Sequence, residues 1–331
     1  MSALEILTCG PATSLQDRGR VGVQRYGVSP AGAMDGAALA TANALVGAPA
    51  GQAAIEFCLQ GGIFRVTDAP VLAAVVGAPA TLDGKPVAAL TSFVAAPGQT
   101  IGVGVAERVY ACLAVAGGFD VAPDMGSLSQ HRRSGLGGAP LAIGRTLVVK
   151  APRAAPVARR LAATIGEEDG PIRVVTGPQD DLFTAAGLET FLSAEFVVSP
   201  LSDRMGVRLQ GPRIEHARGY NIVSDGIVAG HVQVPGDGQP IVLMRDRQTT
   251  GGYPKIATVI SADLDRFAQM RPGTAVRFRA VDVGTAVAAL RDRVAALEQL
   301  AAQATPLVAT LDSESLLAAN LIGGVVAGDE A

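Results

Sequence analysis

The first half of this sequence opens with Leu4-Glu-Ile-Leu-Thr-Cys-Gly-Pro11, and the second half opens in the same way with Ile172-Arg-Val-Val-Thr-Gly-Pro178. Both segments are strand-like apolar runs that end in Gly-Pro, a pair typical of turns. Each half then carries an Asp-Arg followed by glycine, at Asp17-Arg-Gly19 and at Asp203-Arg-Met-Gly206. Matches this short also arise by chance, but a duplication would explain the length of 331 residues as two similar barrels.

The stretch between the two openings predicts how the chain is divided. Residues 151–169 are rich in Pro and Ala and then charged, which is typical of a connection. We therefore expect an N-terminal β-barrel half over residues 1–152, a linker over 153–169 and a C-terminal β-barrel half over 170–280. A C-terminal helix and tail would follow over 281–331.

Turn-forming residues favour short strands over most of the chain. The sequence contains 40 Gly and 20 Pro, which implies many turns. Asp83-Gly84 predicts one of them, a tight hairpin. The predicted fold class is therefore mainly β with a few helices, and the clearest strand-like runs are Ile55–Leu59, Gly62–Val66, Val71–Val76, Tyr110–Ala116, Phe196–Val198 and Val276–Arg279.

Helical spacing of apolar residues is confined to four segments. Gly47 is expected to end the first, and Ser261 to cap the third. The fourth carries an apolar stripe that either packs on the body of the protein or forms a seam with an oligomer or partner. The predicted helices are Asp35–Val46, Asp181–Ala194, Asp263–Met270 and about Thr285–Ala304.

Composition excludes several classes of partner. A net charge of −3 argues against nucleic acid or an anionic membrane as the main partner. The three cysteines are far apart and form no C-x-x-C pair, which indicates reduced thiols in a cytoplasmic protein. The N-terminus does not resemble a signal peptide, and no run of about 18 apolar residues predicts a membrane span.

Several standard chemistries lack their motifs. His131, His216 and His231 form no pair with zinc-ligand spacing, so no metal site is predicted. No G-x-S-x-G nucleophile elbow is present. The segment Gly77–Lys85 is too long for a phosphate loop, and Pro86 stands where Ser or Thr would hold magnesium. A Met-Lys-Met segment is also missing, so we expect no biotin attached to this chain.

The most crowded polar segment is Asp246-Arg-Gln-Thr-Thr-Gly-Gly-Tyr-Pro-Lys255. Its Gly-Gly pair lets the backbone bend sharply and approach a ligand closely, although a solvated hairpin connection would use the same pair. A second glycine-rich loop, Gln233–Pro240, and two strand-like runs flank it, which favours a site. Lys255 suits the stabilisation of an anion, Tyr253 suits charge stabilisation or proton transfer, and Asp246 suits the orientation of a cation.

Three further polar clusters are candidates for the same site: Gln16–Arg20, Ser29–Asp35 and Ser202–Gly206. Each has a structural alternative. Asp17 and Asp35 are also suited to capping turns or helices. Asn43, in an apolar helix, is either a structural tether or a ligand contact, because a buried amide must be hydrogen-bonded. Asp203-Arg204 is either an internal ion pair or a two-pronged holder of a carboxylate or phosphate.

These clusters, in this order, closely resemble the allophanate hydrolase subunit 2 family, also called the biotin-dependent carboxyltransferase family. That family includes the C-type subunit of 5-oxoprolinase and the carboxyltransferase half of urea carboxylase. The resemblance runs from about residue 4 to 280 and continues weakly in Asn320–Gly324. The segments that carry it are Gly10-Pro11, Gln16–Arg20, Gly32–Asp35, Asn43–Gly47, Leu113–Gly118, Ser202–Gly206, Ser224–Gly226, Gln233–Gly236, Gly238–Pro240 and Asp246–Lys255.

The resemblance implies cyclophilin-like β-barrel halves with a site where they meet. It implies one component of a 5-oxoprolinase, which opens 5-oxoproline to glutamate at the expense of ATP. The partners would be the A-type subunit of that enzyme and its B-type subunit, which is of the allophanate hydrolase subunit 1 type. ATP would be held by this chain or together with the partner.

The same resemblance implies which residues form the site. The catalytic candidates are Asp246, Tyr253 and Lys255. The candidates for binding substrate or phosphate are Asp17, Arg20, Asp35, Asn43, Asp203, Arg204, Gln233, Gln239, Gln248, Thr249, Gly251 and Gly252.

Two other functions fit the same resemblance. One is carboxyl transfer to a urea-like amide from carboxybiotin on another protein, because this chain lacks the biotin carboxylase and carrier parts. The other is a regulatory protein that binds a kinase-inhibitor-type partner.

Overall fold

The computed structural model describes residues 2–153, 155–166 and 169–307. Strands dominate these ranges, so the mainly β fold class predicted from the sequence is confirmed. Within the same ranges there are four α-helices, and none is long and apolar enough to cross a membrane. They are α1 (Gly36–Leu45), α2 (Ala185–Ser193), α3 (Leu264–Ala268) and α4 (Val283–Gln303).

Two antiparallel sheets enclose the core of the N-terminal half. The six-stranded sheet alternates buried and exposed residues, because only one of its faces meets this core. Asp83 and Gly84 both have positive φ and join two of its strands in the predicted hairpin. The strand order is Thr146–Val148, Ala3–Cys9, Gly62–Thr67, Thr100–Val103, Ala80–Leu82 and Lys85–Val87.

The five-stranded sheet is covered on both faces. Its strand Val71–Val76 is buried at every position because one face meets the core and the other meets α1. The small side chains of α1 allow this close packing, and Leu300 of α4 packs into the same cluster. The strand order is Ser14–Gln16, Ala54–Cys58, Tyr110–Val115, Val71–Val76 and Ser92–Ala95.

One eight-stranded sheet builds the C-terminal half. Its two outermost strands are separated in the chain only by Arg277, so the sheet curls until its edges nearly meet as a barrel. The prediction of one strand over Val276–Arg279 is therefore wrong, since the run divides between the two edges. The strand order is Ala275–Val276, Phe196–Val198, Gly206–Gln210, Ile241–Leu243, His231–Gln233, Lys255–Val259, Ile172–Thr176 and Phe278–Ala280.

Two short ribbons complete the strands of the described ranges. Arg159–Arg160 pairs with Thr305–Pro306, which fixes the end of α4 beside the connection between the halves. Asp225–Gly226 pairs with Thr250–Gly251 beside the polar loop. The predicted domain boundaries at residues 153–169 stay a prediction, as does the likeness to cyclophilin.

Helix boundaries differ from the sequence prediction where side chains have other partners. Helix α1 begins as predicted, because Asp35 accepts a hydrogen bond from the backbone N of Ala38 at 2.9 Å. Helix α2 begins four residues later than predicted, since Thr184 is its N-cap. Helix α4 begins two residues earlier, capped by Asp282. Ser261 caps nothing, because it starts a 3-10 turn.

The side chain of Gln269 ties the two halves together. Its Oε1 accepts hydrogen bonds from the backbone N of Val109 at 2.9 Å and of Tyr110 at 2.8 Å. Its Nε2 donates to Asp35 Oδ2 at 2.7 Å and to the Tyr110 carbonyl at 3.0 Å. Met34, Val109 and Tyr110 of the N-terminal half pack into the barrel core. The two halves therefore share one continuous junction.

Candidate functional site

The loop from Asp246 to Lys255 joins two polar clusters. Its first residue belongs to what we call the arginine cluster: Glu56, Arg204 and Asp246. Its last residue belongs to what we call the lysine cluster: Gln179, Asp225, Gln233 and Lys255. The sequence predicts Asp246 and Lys255 in one wall of a site, and the structure separates them into these two groups.

Arg204 is the centre of the arginine cluster. Its Nε donates to Asp246 Oδ2 and its Nη2 to Asp246 Oδ1, both at 2.9 Å. Nη2 also donates to the Gly32 carbonyl at 2.8 Å, and Nη1 pairs with Glu56 Oε1. Glu56 Oε2 accepts from the backbone N of Met34 at 2.7 Å. Arg204 of the second half is thus bonded to both halves.

The electrostatics of this cluster follow from two carboxylates facing one guanidinium. Burial raises the pKa of Glu56 to about 7, and the positive charge of Arg204 only partly opposes this effect. Burial alone would lower the pKa of Arg204, but the negative charges of Glu56 and Asp246 outweigh this effect and raise the pKa above its ordinary value. Near neutral pH, the group of this cluster that exchanges a proton is therefore Glu56 and not Arg204.

The geometry gives Arg204 a structural role, and its predicted contact with a ligand stays a prediction. Each of its three guanidinium nitrogens already bonds a protein oxygen. A guanidinium has five N–H donors and four are used here, so one N–H of Nη1 is left. Arg204 fixes Asp246 against the N-terminal half.

Asp17 organises the loops that face this cluster. It accepts hydrogen bonds from Ser127 Oγ at 2.6 Å, Ser129 Oγ at 2.5 Å and the backbone N of Leu128 at 2.7 Å. Burial alone would raise the pKa of Asp17, but these bonds and one from Gly19 hold it below its ordinary value. Asp17 therefore remains a carboxylate that holds the loop.

Arg20 lies beside Asp17, and the Arg20 side chain is buried away from solvent. Only 1% of the residue is accessible, and its Nε donates to the Asp124 carbonyl at 3.0 Å. Its Nη1 and Nη2 have no hydrogen-bond partner among the residues that the structure describes. Burial lowers the pKa of Arg20, and Asp17, Asp124 and Asp246 oppose this shift. Arg20 therefore has the donors of both outer nitrogens left for an anion, against one N–H in Arg204.

Lys255 is the buried cation of the lysine cluster. Its Nζ donates to Asp225 Oδ2 at 3.1 Å, and Gln179 Nε2 donates to the same oxygen at 3.2 Å. Lys255 pairs with Gln233 across two strands, so both side chains lie at one place on the barrel. A Cβ at Gly251 would lie 2.4 Å from Gln233 Nε2, so a side chain at this position would push that amide aside.

Two further basic residues adjoin the lysine cluster. Burial, together with the charges of Lys255 and Arg247, lowers the pKa of His231 to about 4, so this imidazole is neutral. Burial and the charge of Arg245 lower the pKa of Arg247 to about 10. Arg247 Nη2 donates to Gln24 Oε1 of the first half at 3.2 Å. The positive charges of Lys255 and Arg247 make the electrostatic potential here favourable to an anion.

An open cleft of about 400 Å³ lies between the halves at the arginine cluster. Cys58, Tyr110 and His131 of the N-terminal half line it opposite Asp203 and Arg204. His131 Nε2 lies 3.3 Å from the Asp246 carbonyl oxygen, so the cleft reaches the start of the polar loop. A small ligand could therefore enter at the junction, where the resemblance implies a site.

Residues 26–280 match the family model described as the carboxyltransferase domain, subdomain A and B. The chain belongs to this carboxyltransferase domain family. The chain is 36% identical over 307 residues to the C subunit of the 5-oxoprolinase of Escherichia coli, covering 90% of this chain and 97% of that protein. It is also 36% identical over 304 residues to the corresponding 5-oxoprolinase C subunit of Haemophilus influenzae, and this match again covers 90% of this chain and 97% of that protein.

A solved structure shares the fold of this carboxyltransferase domain. The urea amidolyase of K. lactis superposes with a TM-score of 0.82 at 29% identity. The match covers 90% of this chain but 20% of that one, so the chain spans about a fifth of the larger enzyme. The family resemblance predicted from the sequence motifs is therefore confirmed, except that Asn320–Gly324 lies outside the described residues.

Other predicted site residues form hydrogen bonds with the backbone of this chain. Asp203 Oδ1 accepts from the backbone N of Met205 at 2.8 Å, as Asp17 does from Gly19. Gln239 bonds the backbone of Gly211 through both amide atoms. Asn43 Nδ2 donates to the carbonyls of Ala50 and Gln52, as a structural tether would, while its buried Oδ1 has no partner among the described residues. Asp35 caps α1.

The middle of the polar loop faces outward. Gln248 is exposed, and Tyr253 is 40% exposed with no hydrogen bond from its hydroxyl to any described residue. The Thr249 carbonyl accepts from Gln24 Nε2 at 3.4 Å, which joins the loop to the N-terminal half. Gly252 lies beside the Ile222 carbonyl. Tyr253 and Gln248 are thus placed to meet something outside the chain rather than the buried clusters.

Four polar residues of the two clusters and their surroundings are not among the residues predicted from the sequence. Glu56 carries a signal, because it is a single carboxylate inside the apolar run Ile55–Leu59. Asp225 lies in the motif Ser224–Gly226, which supports the family but does not by itself indicate a role for this carboxylate. Gln179 and Gln24 carry no local signal, since only the folded chain brings them beside Lys255 and Arg247.

Proposed function

We propose that this chain is a subunit of an ATP-dependent 5-oxoprolinase, working with A-type and B-type subunits to open 5-oxoproline to glutamate. The observation that carries this proposal is the 36% identity to the 5-oxoprolinase C subunit of Escherichia coli, which spans 97% of that protein. Buried cationic donors at Arg20 and Lys255 support it, because 5-oxoproline carries a carboxylate and urea does not.

The reaction needs an activated amide, because a lactam is a stable carbonyl compound. Transfer of the terminal phosphoryl group of ATP to the lactam oxygen creates a leaving group. Water then adds to the carbonyl carbon and the ring C–N bond breaks with a proton going to nitrogen, which leaves an acyl phosphate of glutamate. A second water hydrolyses this acyl phosphate to glutamate and phosphate. Lys255 and Arg20 would stabilise the anionic groups, and Asp246 would keep the loop in place through Arg204. Tyr253, exposed beside the clusters, would contact the substrate or the partner.

ATP binding is assigned to the assembled complex in this proposal. The sequence has no nucleotide-binding motif, although Arg20 offers two buried donors that suit a phosphate. The three cysteines are free, which supports a cytoplasmic location for the complex.

The test reconstitutes the chain with the A-type and B-type subunits of a 5-oxoprolinase. ATP-dependent release of glutamate and phosphate from 5-oxoproline, absent when any one component is omitted, is the expected result. Lys255→Met should lower turnover at least about 100-fold, because a charge-assisted contact is lost. Lys85→Met, which removes an exposed lysine of the hairpin, is the matched control and should retain full turnover. A complete three-component mixture without turnover would overturn the proposal.

A second candidate function is carboxyl transfer to a urea-like amide. The TM-score of 0.82 to the urea amidolyase of K. lactis favours it. This function needs carboxybiotin on a separate carrier, so the same preparations should be assayed with carboxybiotin and urea. Transfer to urea together with no turnover of 5-oxoproline would select this alternative.

A further inference from the structure

Lys255 differs from other buried cations of the described chain in the partner that neutralises it. Arg173, Arg204 and Arg293 pair with carboxylates whose side chains are 2%, 3% and 8% exposed. The Lys255 side chain is 0% exposed, yet the carboxylate of Asp225 is 55% exposed. A half-exposed carboxylate gives weak compensation for a fully buried ammonium, because solvent screens it. The pair therefore differs from a dedicated structural ion pair.

Donors without acceptors occur in the lysine cluster and beside it. An ammonium has three N–H donors, and within the described residues the Lys255 Nζ bonds Asp225 alone. Gln233, 2% exposed, has an Nε2 with no partner in the same residues, and Arg247 has an unpartnered Nε. Buried donors are rarely left unpaired. Acceptors are missing here, and an anion would supply them.

Asp225 is carried by a segment on the surface of the barrel. It pairs with Gly251 in the two-stranded ribbon, and the backbone N of Ile222 donates to the Gly252 carbonyl at 2.9 Å. Residues 223–226 are all exposed. Apart from Lys255 and its own neighbour Gly226, the Asp225 carboxylate is bonded only by Gln179 within the described chain. Few contacts thus hold this carboxylate over the lysine.

We propose that Asp225 occupies the position of a ligand carboxylate, and that a carboxylate ligand displaces it to bind Lys255 Nζ and Gln233 Nε2. Asp225 is then a built-in competitor that neutralises Lys255 until the ligand arrives. Gly251 covers the amide of Gln233 without a side chain of its own in the way. The identity of the ligand as 5-oxoproline rests on the proposed function, whereas the displacement does not.

Calorimetric titration of the full chain tests this displacement without turnover. The probes are 5-oxoproline, glutamate and acetate, with pyrrolidin-2-one as the same lactam without a carboxylate. Asp225→Asn should bind 5-oxoproline about tenfold more tightly than the wild type, because the competing carboxylate no longer occupies the site. Its affinity for pyrrolidin-2-one should not change. Asp237→Asn, which removes an exposed carboxylate of a neighbouring loop, is the matched control.

Two further measurements keep the test decisive. Lys255→Met should abolish carboxylate binding, and hydrogen exchange at the backbone of residues 223–226 should quicken when 5-oxoproline saturates the wild type. Unchanged or weaker binding of all three carboxylates by Asp225→Asn overturns the inference, as does equal tightening of pyrrolidin-2-one. Failure of the proposed function would give a different result. The assembled complex would not turn over 5-oxoproline, while acetate or glutamate would still bind Asp225→Asn more tightly than the wild type.

Discussion

Arg204 and Asp246 form a two-pronged ion pair in which Nε donates to Oδ2 and Nη2 to Oδ1, each at 2.9 Å. The same guanidinium bonds Glu56 and the Gly32 carbonyl of the N-terminal half. The first residue of the polar loop is therefore fixed to the opposite half of the molecule. Movement between the halves would be transmitted directly to the loop.

Removing Arg204 should destabilise the fold strongly. Arg204→Met leaves two buried carboxylates without a cation, which we expect to lower the free energy of unfolding by about 3–5 kcal/mol. Urea denaturation measures this change. Arg208→Met, exposed on the strand Gly206–Gln210 that follows Arg204, should cost less than about 0.5 kcal/mol. A loss below about 1 kcal/mol for Arg204→Met would show that the cluster does not hold the halves.

Glu56 and His231, whose shifted pKa values lie between about 4 and 7, should act on stability in opposite directions. The pKa of Glu56 is raised by burial to about 7, so its contribution is full below its unfolded pKa and is lost as pH rises through about 7. The pKa of His231 is lowered to about 4 by burial, Lys255 and Arg247, so its contribution is present above about pH 6.5 and is lost as pH falls through about 4.

Glu56→Gln isolates the first of these contributions. The variant lacks the carboxyl group and so does not lose this contribution. Between about pH 4.5 and pH 7.5 its free energy of unfolding should therefore rise, relative to that of the wild type, by up to about 3 kcal/mol. Urea denaturation at several pH values in this window measures the difference. Glu107→Gln, exposed on the surface, controls for the loss of one carboxylate. Parallel curves for Glu56→Gln and the wild type would mean that Glu56 is ionised throughout.

The Gln269 tether should be sensitive to loss of its amide. Gln269→Leu leaves the backbone N of Val109 and of Tyr110 without an acceptor and Asp35 Oδ2 without that donor. Each buried unsatisfied group costs about 1–3 kcal/mol, so we expect a total loss of about 3 kcal/mol or more in denaturation experiments. Gln303→Leu at the exposed end of α4 should be near neutral, and equal losses for the two variants would exclude the tether.

The two glycines of the polar loop should respond differently to alanine. A Cβ at Gly251 would lie 2.4 Å from Gln233 Nε2, whereas the nearest atom to a Cβ at Gly252 would be 3.5 Å away. Gly251→Ala should therefore move the amide away from Lys255 and lower kcat/KM of the assembled complex about tenfold or more. Its stability should change little, because the amide is at the end of a flexible side chain. Gly252→Ala should behave as the wild type. Similar kcat/KM values for the two variants would show that Gln233 is not part of the site.

Local patterns predict much of the fold. The run Val71–Val76 and the hairpin at Asp83-Gly84 match the structure, since a continuous apolar run and a turn dipeptide each specify local backbone structure. The run Val276–Arg279 does not, because nothing local shows that a barrel closes at Arg277. Helix α2 begins later than its apolar spacing predicts, because capping by Thr184 outweighs periodicity at that end.

The sequence by itself determined the β-rich class, the family and the polar loop as a candidate site, because these depend on composition and on motifs contiguous in the chain. Only the tertiary structure decided which charges meet. It joined Asp246 to Arg204 and Glu56, joined Lys255 to Asp225, and left the outer nitrogens of Arg20 without partners among the described residues. Those outcomes depend on burial and on contacts between residues far apart in sequence, which set the cost of each charge and the partner that offsets it.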